Sequence, residues 1–269
     1  MKNENVTWRT IVARAYPRVV AIVRAARWTV GGTIVSLMYM AALVLIYKSI
    51  NAPKEYYSFA ILGSSLLSYW DNVIWSMAMQ LYWDKEDGLL EMYIIAPINR
   101  MALLTGMALG GMTMTTFRAV IIFVSGILIF RAPIYVEMPG HLILSFLLAL
   151  IALYGVGMAF SSLFLMWGRQ VWAVADLMME PMHVLSGSYF PIKTLGYPLA
   201  FMASLVPLAF GLDAVRQSMF GATWGLLPLK YEELTLLLYG IFYIILARYA
   251  LKKMEHMAKA EAKLTLRWQ

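Results

Sequence analysis

The chain has 269 residues, 61% of them hydrophobic and 14% charged, with a formal net charge of +7. Soluble domains carry about 45–50% apolar and about 25% charged residues, so this composition excludes a water-soluble globule. With no cysteine, disulfides, thiolate zinc sites, iron–sulfur clusters and cysteine nucleophiles are also excluded.

The apolar excess gathers in runs of about 20 residues, the length that crosses a bilayer as a helix. The pattern predicts an all-α polytopic membrane protein with six transmembrane helices. Residues 1–27 form the N-terminal part, 28–251 one membrane domain and 252–269 a basic tail. Residues 1–27 lack a central apolar region and a small-residue cleavage site, so no cleavable signal is expected.

Residues 8–27 predict an amphipathic helix lying in the membrane surface. At about 100° per residue, Trp8, Ile11, Val12, Ala15, Val19, Ile22, Val23 and Ala26 share one arc, with Arg9, Arg14, Arg18, Arg24 and Arg27 opposite. Pro17 is expected to kink it. The helix serves either as a plain basic anchor or as a contact for a cytoplasmic partner.

The spans are expected at 28–47, 57–82, 101–130, 141–167, 171–189 and 234–251. Between the second and third lies the most highly charged internal stretch, 83–100, with Asp84, Lys85, Glu86, Asp87 and Glu91 close together. Gly88 breaks the charge run, and an amphipathic patch from Leu89 and Leu90 to Ile95 ends at Pro97. A tight turn at 168–170 joins spans four and five. Residues 190–229 are apolar but punctuated by Pro191, Pro198, Pro207, Pro228 and several glycines, which fits two short helices that enter the membrane and return.

Most of the 22 basic residues fall on the side that holds both termini and the 83–100 and 168–170 loops. By the positive-inside rule that side is cytoplasmic. Basic residues clustered at span ends serve topology and anionic lipid, so no nucleic-acid partner is expected.

Charges inside spans are costly and mark candidate sites. Asp71 and Arg118 lie at matching depths and are expected to face each other or share a polar network. The pair either fixes helix register or lines a transport path. Asp176, Glu180 and His183 fall at i, i+4 and i+7 on one face of span five. That column is either a proton relay or a water-facing or subunit-facing stripe. The three histidines, His141, His183 and His256, are far apart in sequence, so no metal site is expected. No G-x-x-x-x-G-K-[ST], G-x-S-x-G or H-E-x-x-H motif occurs, so the chain carries no P-loop and no recognisable catalytic constellation.

Two stretches resemble the ABC-2 type permeases, the membrane subunits of one class of ABC transporter. In the first, Glu86, Gly88, Leu89-Leu90-Glu91, Pro97 and Arg100 match the family's loop after span two. In the second, Ser186-Gly187, Phe190-Pro191, Pro198, Pro207, Asp213 and Arg216 are similar to its signature after span five. The order of elements agrees along essentially the whole chain, although Asp176, Glu180 and His183 make span five more polar than the family pattern.

The resemblance implies a permease in the plasma or inner membrane that pairs with a second copy or a homologous permease. It implies a separate nucleotide-binding ATPase, which would carry the ATP and magnesium; this chain would bind no cofactor and hydrolyse nothing. It also implies that the segment around 84–97, with Asp84 and Arg100 beside it, couples ATP hydrolysis to export. The expected substrate is hydrophobic or amphipathic, a drug-like molecule or lipid, with a lipid-linked or free saccharide as the alternative. The competing reading is a proton-coupled transporter using Asp71, Asp176, Glu180 and His183.

Overall fold

The computed structural model describes residues 2–24, 26–96, 98–167, 170–221 and 225–261. Pro97, Gly168 and Arg169 of the 168–170 turn, and Lys263 and Arg267 of the tail lie outside the described residues. Helix is the only regular structure among the described residues. Four helices are long and apolar enough to cross a membrane, or five if one bent pair forms a single span. The chain is a helical membrane protein.

Helix α1 spans Lys2–Arg24 and continues through Pro17. Helix α2 spans Ala26–Ser49. The expected second span is not one α-helix: α3 covers Glu55–Asp71, a π-helical segment Asn72–Ala78 follows, and α4 covers Gln80–Glu86. A short α5, Leu89–Ile95, leads to α6, Arg100–Phe130. The side chain of Asn99 caps α6 by accepting from the Met101 amide at 3.0 Å, satisfying a donor that the first turn leaves open.

Helix α7 spans Pro139–Trp167, and α8 covers only Val171–Leu185. Fifteen residues rise about 22 Å, short of a bilayer core of about 30 Å, so α8 alone does not match the span expected at 171–189. It stops where Gly187 takes a positive φ of 73°. Helices α9, Tyr197–Ser204, and α10, Pro207–Phe220, follow, and α11 runs Leu229–Glu261. Pro198 and Pro207 sit in the first turns of α9 and α10, where a missing N–H costs nothing. The two helices meet at a 101° bend.

Helix α7 is the central post, packed against α11, α10 and the π-helical segment. Its Leu153, Tyr154 and Val156 join Trp70, Val73, Met77, Met107, Leu212 and Val215 in the main core. Helix α2 instead leaves Val30, Ile34, Met38 and Tyr39 exposed, a surface suited to lipid or to a neighbouring subunit.

Helix α1 departs from the expected division into apolar and basic arcs. Trp8, Val12 and Val19 are exposed, but Arg14 and Arg18 turn toward the protein. The cause is a close crossing with α6. A Cβ on Gly106 would lie 2.6 Å from the Ile11 carbonyl oxygen, and one on Gly110 would lie 3.0 Å from that of Ala15. Two glycines four apart let the backbones touch, and that contact rotates the neighbouring arginines inward.

Candidate functional site

The site is organised by four polar residues, Asn72, Ser76, Gln80 and Asp84, spaced four apart. They form a stripe from the end of α3 through the π-helical segment into α4. π-Helical turns are rare and concentrate at functional sites.

At one end, Asp84 is buried and forms an ion pair with Arg14 of α1. Arg14 also donates to the Tyr93 hydroxyl of α5 at 2.8 Å, with its guanidinium 5.3 Å from the centre of that ring. Gln80 donates to Asp84 at 2.8 Å and accepts from Arg18 at 2.6 Å. Arg18 further donates to the carbonyls of Ser76 at 2.7 Å and Met107 at 3.2 Å. Burial and the neighbouring Arg14 lower the Arg18 pKa to about 10, which leaves it cationic at neutral pH.

Deeper along the stripe, Asn72 accepts from the Tyr154 hydroxyl at 3.0 Å. Beside it opens a cavity of about 430 Å³ lined by Asp71, Asn72, Trp75, Arg118 and His183 among others. A second cavity of about 250 Å³ shares Asp71 and His183 and adds Glu180, Tyr39 and Tyr189.

Asp71 and His183 line both cavities, with Arg118 on the first and Glu180 on the second. The expected facing of Asp71 and Arg118 takes a particular form. Arg118 donates to the Gly32 carbonyl at 2.8 Å and to the Ser36 hydroxyl, both on α2. Asp71 Oδ1 instead lies 3.8 Å from His183 Nε2. Arg118 is long enough to reach α2, and it lines the same cavity as Asp71. Asp176 is exposed on α8 and lines neither cavity, so the column expected from Asp176 to His183 is not continuous there.

The 83–100 segment also divides. Asp84 and Leu90 are buried, so Asp84 belongs to an internal clamp and not to an outer docking surface. Glu86, Gly88 and Leu89 are exposed, as are Met92 at 64% and Ile95 at 84%. Gly88 holds a left-handed φ of 73° that reverses the chain between α4 and α5. Glu91 lies within α5 with its side chain outside the described set, and Arg100 opens α6.

The second signature stretch forms a buried knot after α8. Arg216 donates to the carbonyls of Gly187, Ser188, Phe190 and Phe59. Ser186 bonds Ser188 through their hydroxyls at 2.6 Å, and Pro191 caps a short 3₁₀ turn, Ile192–Leu195. Asp213 accepts from the Leu226 amide at 2.7 Å, and Pro207 starts α10. Among the described residues no group of three or more acidic or histidine side chains could hold a metal ion.

Sequence reasoning missed Arg14, Arg18, Gln80 and Tyr93 as parts of one network. A pairwise test follows. Arg14→Ala and Asp84→Ala are expected to destabilise non-additively, with a coupling of about 1–3 kcal/mol from a double-mutant cycle read by thermal unfolding. Strict additivity would break the clamp. No protein-family model and no curated protein matches the chain.

Proposed function

We propose that this chain is the transmembrane subunit of an ATP-driven exporter of the ABC-2 kind. It would work beside a second copy or a homologue, with a separate ATPase that carries ATP and magnesium. The observation that supports this reading best is the connected polar stripe. It joins an exposed apolar helix, α5, to a cavity at mid-depth in the bundle.

In this reading α3, the π-helical segment and α4 make the second span. Helix α8 with the residues up to Tyr189 makes the fifth, giving six in all. Helices α9 and α10 dip into the membrane and return, held by the 101° bend. Both termini and α5 face the cytoplasm of the plasma or inner membrane.

The mechanism runs through named contacts. An ATPase seated on Leu89, Met92 and Ile95 moves α5 as ATP closes the ATPase pair. Tyr93 and Asp84 pass that movement to Arg14, and α1 carries it along its close crossing with α6. Arg18 holds the Ser76 carbonyl of the π-helical segment, whose hydrogen bonds are more easily exchanged than those of a regular helix. A small shift there changes the width of the cavity one turn away. The substrate is hydrophobic or amphipathic, a drug-like molecule or lipid, with a saccharide as the alternative.

The experiment is transport in inside-out vesicles holding the chain and its ATPase, with the proton gradient collapsed. ATP is expected to drive uptake, and the double variant Gly88→Trp, Glu91→Lys is expected to lose it at least about tenfold, equivalent to about 1.4 kcal/mol of lost coupling. Uptake unchanged in that variant would overturn the role of α5. The 3.8 Å approach of Asp71 to His183 favours a second reading, a proton-driven transporter. In that case a protonophore abolishes transport and ATP has no effect.

A further inference from the structure

We infer that the cavity at Asp71 binds an amphipathic organic cation in exchange for a proton held between Asp71 and His183. The inference deepens the exporter reading by naming a substrate class for its cavity, and it rests on that reading for its physiological meaning.

The proton follows from hydrogen-bond inventory. His183 Nδ1 lies 2.9 Å from the Met179 carbonyl oxygen. A carbonyl only accepts, so Nδ1 carries a hydrogen. A neutral ring would then turn the bare lone pair of Nε2 toward the Asp71 carboxylate, 3.8 Å away. Two acceptors facing each other in a half-buried place repel. The pair avoids this by keeping one proton, on Nε2 or on the carboxyl. Asp71 Oδ1 is itself buried and has no hydrogen-bond partner, so a cationic group is what it lacks.

The charges around the pair set the sign of the ligand. From α6 comes Arg118, already engaged by Gly32 and Ser36 of α2. From α8 comes Glu180, an exposed carboxylate at the rim of the second cavity. Helix α2 and the stretch after α8 contribute only the neutral phenols of Tyr39 and Tyr189. With the shared proton present, the carboxylates, Arg118 and the proton sum to zero. Without it the space carries one net negative charge. A singly charged cation that enters as the proton leaves keeps the total charge unchanged, so the exchange adds no charge to the site.

The shape and lining set the rest. The adjoining cavities of about 430 and about 250 Å³ suit a ligand of drug size. Trp75 forms one wall, its ring 5.5 Å from that of Trp172, which is in turn 5.2 Å from that of Trp83. Trp172 and Trp83 are part-exposed, so the three indoles form a track from the α4 end of the bundle to the cavity. Aromatic faces attract cations and bury apolar groups together, which selects a cation with an apolar body. A neutral saccharide or lipid would use the indoles and leave the Asp71–His183 proton in place.

The test uses tetraphenylphosphonium, a permanent cation, with the full chain in nanodiscs of neutral lipid. Affinity is expected to rise with pH, with up to one proton released per cation bound. Asp71→Asn is expected to lose saturable binding. His183→Gln, which cannot share the proton, is expected to bind while losing the pH slope. Affinity that is flat with pH in the wild type, binding retained by Asp71→Asn, or equal competition by neutral triphenylphosphine oxide would overturn the inference. Proton-linked binding without ATP-driven export would leave the site standing and sink the exporter reading. ATP-driven export of a neutral amphiphile that ignores Asp71→Asn would do the reverse.

Discussion

Replacing Arg216 by methionine is expected to cost about 3–5 kcal/mol of stability, because several buried carbonyls lose their donor. Arg216 is 1% exposed. Its guanidinium reaches the carbonyls of Phe190 at 3.3 Å, Phe59 at 3.2 Å and Ser188 at 2.8 Å, as well as that of Gly187, and lies 5.2 Å from the centre of the Phe59 ring. Residues 187–190 lie outside any helix that could satisfy those carbonyls within its own ladder. Buried acceptors without donors cost about 1–3 kcal/mol each. One arginine therefore replaces a missing stretch of helix, tying the end of α8 to α3 and α10. Lysine keeps the charge but not the fork, so Arg216→Lys is expected to recover only part of the loss. Thermal unfolding in detergent or nanodiscs measures both, and an unchanged midpoint in Arg216→Met would contradict this role.

Gly63→Ala is expected to be as damaging, at about 3 kcal/mol or more, at the upper end of overpacking costs. An ideal Cβ on Gly63 would lie 1.6 Å from the Ser188 carbonyl oxygen. That oxygen belongs to backbone and is gripped by Arg216, so it has no side-chain freedom with which to retreat. The variant must part α3 from the 186–191 stretch, which also breaks the Arg216 bond to Phe59. The two substitutions therefore disrupt one knot, and their combined cost is expected to fall well below the sum of the separate costs. Normal unfolding behaviour in Gly63→Ala would mean that the close approach is absent.

Parts of this arrangement were legible because they break a strong pattern. A carboxylate and a guanidinium stand out within apolar runs, and Asp71 and Arg118 do line one cavity. The proline and glycine punctuation after Tyr189 announced the bent pair α9 and α10. Other parts were hidden for equally physical reasons. Arg14 and Arg18 sit where membrane topology already calls for basic residues, so nothing in the pattern demanded partners for them. Asn72, Ser76 and Gln80 are uncharged and vanish into a hydropathy profile, although their spacing of four with Asp84 was a readable signal. The π-helical turn leaves no local composition signature, and the shortness of α8 follows from Gly187, which read as ordinary punctuation. The contact of Asp71 with His183 depends on how α8 packs beside the π-helical segment, which no pattern within either helix specifies.

These features give one functional account. In the proposed account energy would enter at α5, pass through Arg14 and Arg18 to the π-helical segment, and change the cavity beside Asp71. The measurement that tests this most directly is ATP hydrolysis by this chain reconstituted with the proposed ATPase subunit, with and without an amphipathic substrate. The account predicts hydrolysis that the substrate stimulates several-fold, and loss of that stimulation in the Gly88→Trp, Glu91→Lys variant. Hydrolysis indifferent to substrate, or stimulation unchanged in the variant, would contradict it.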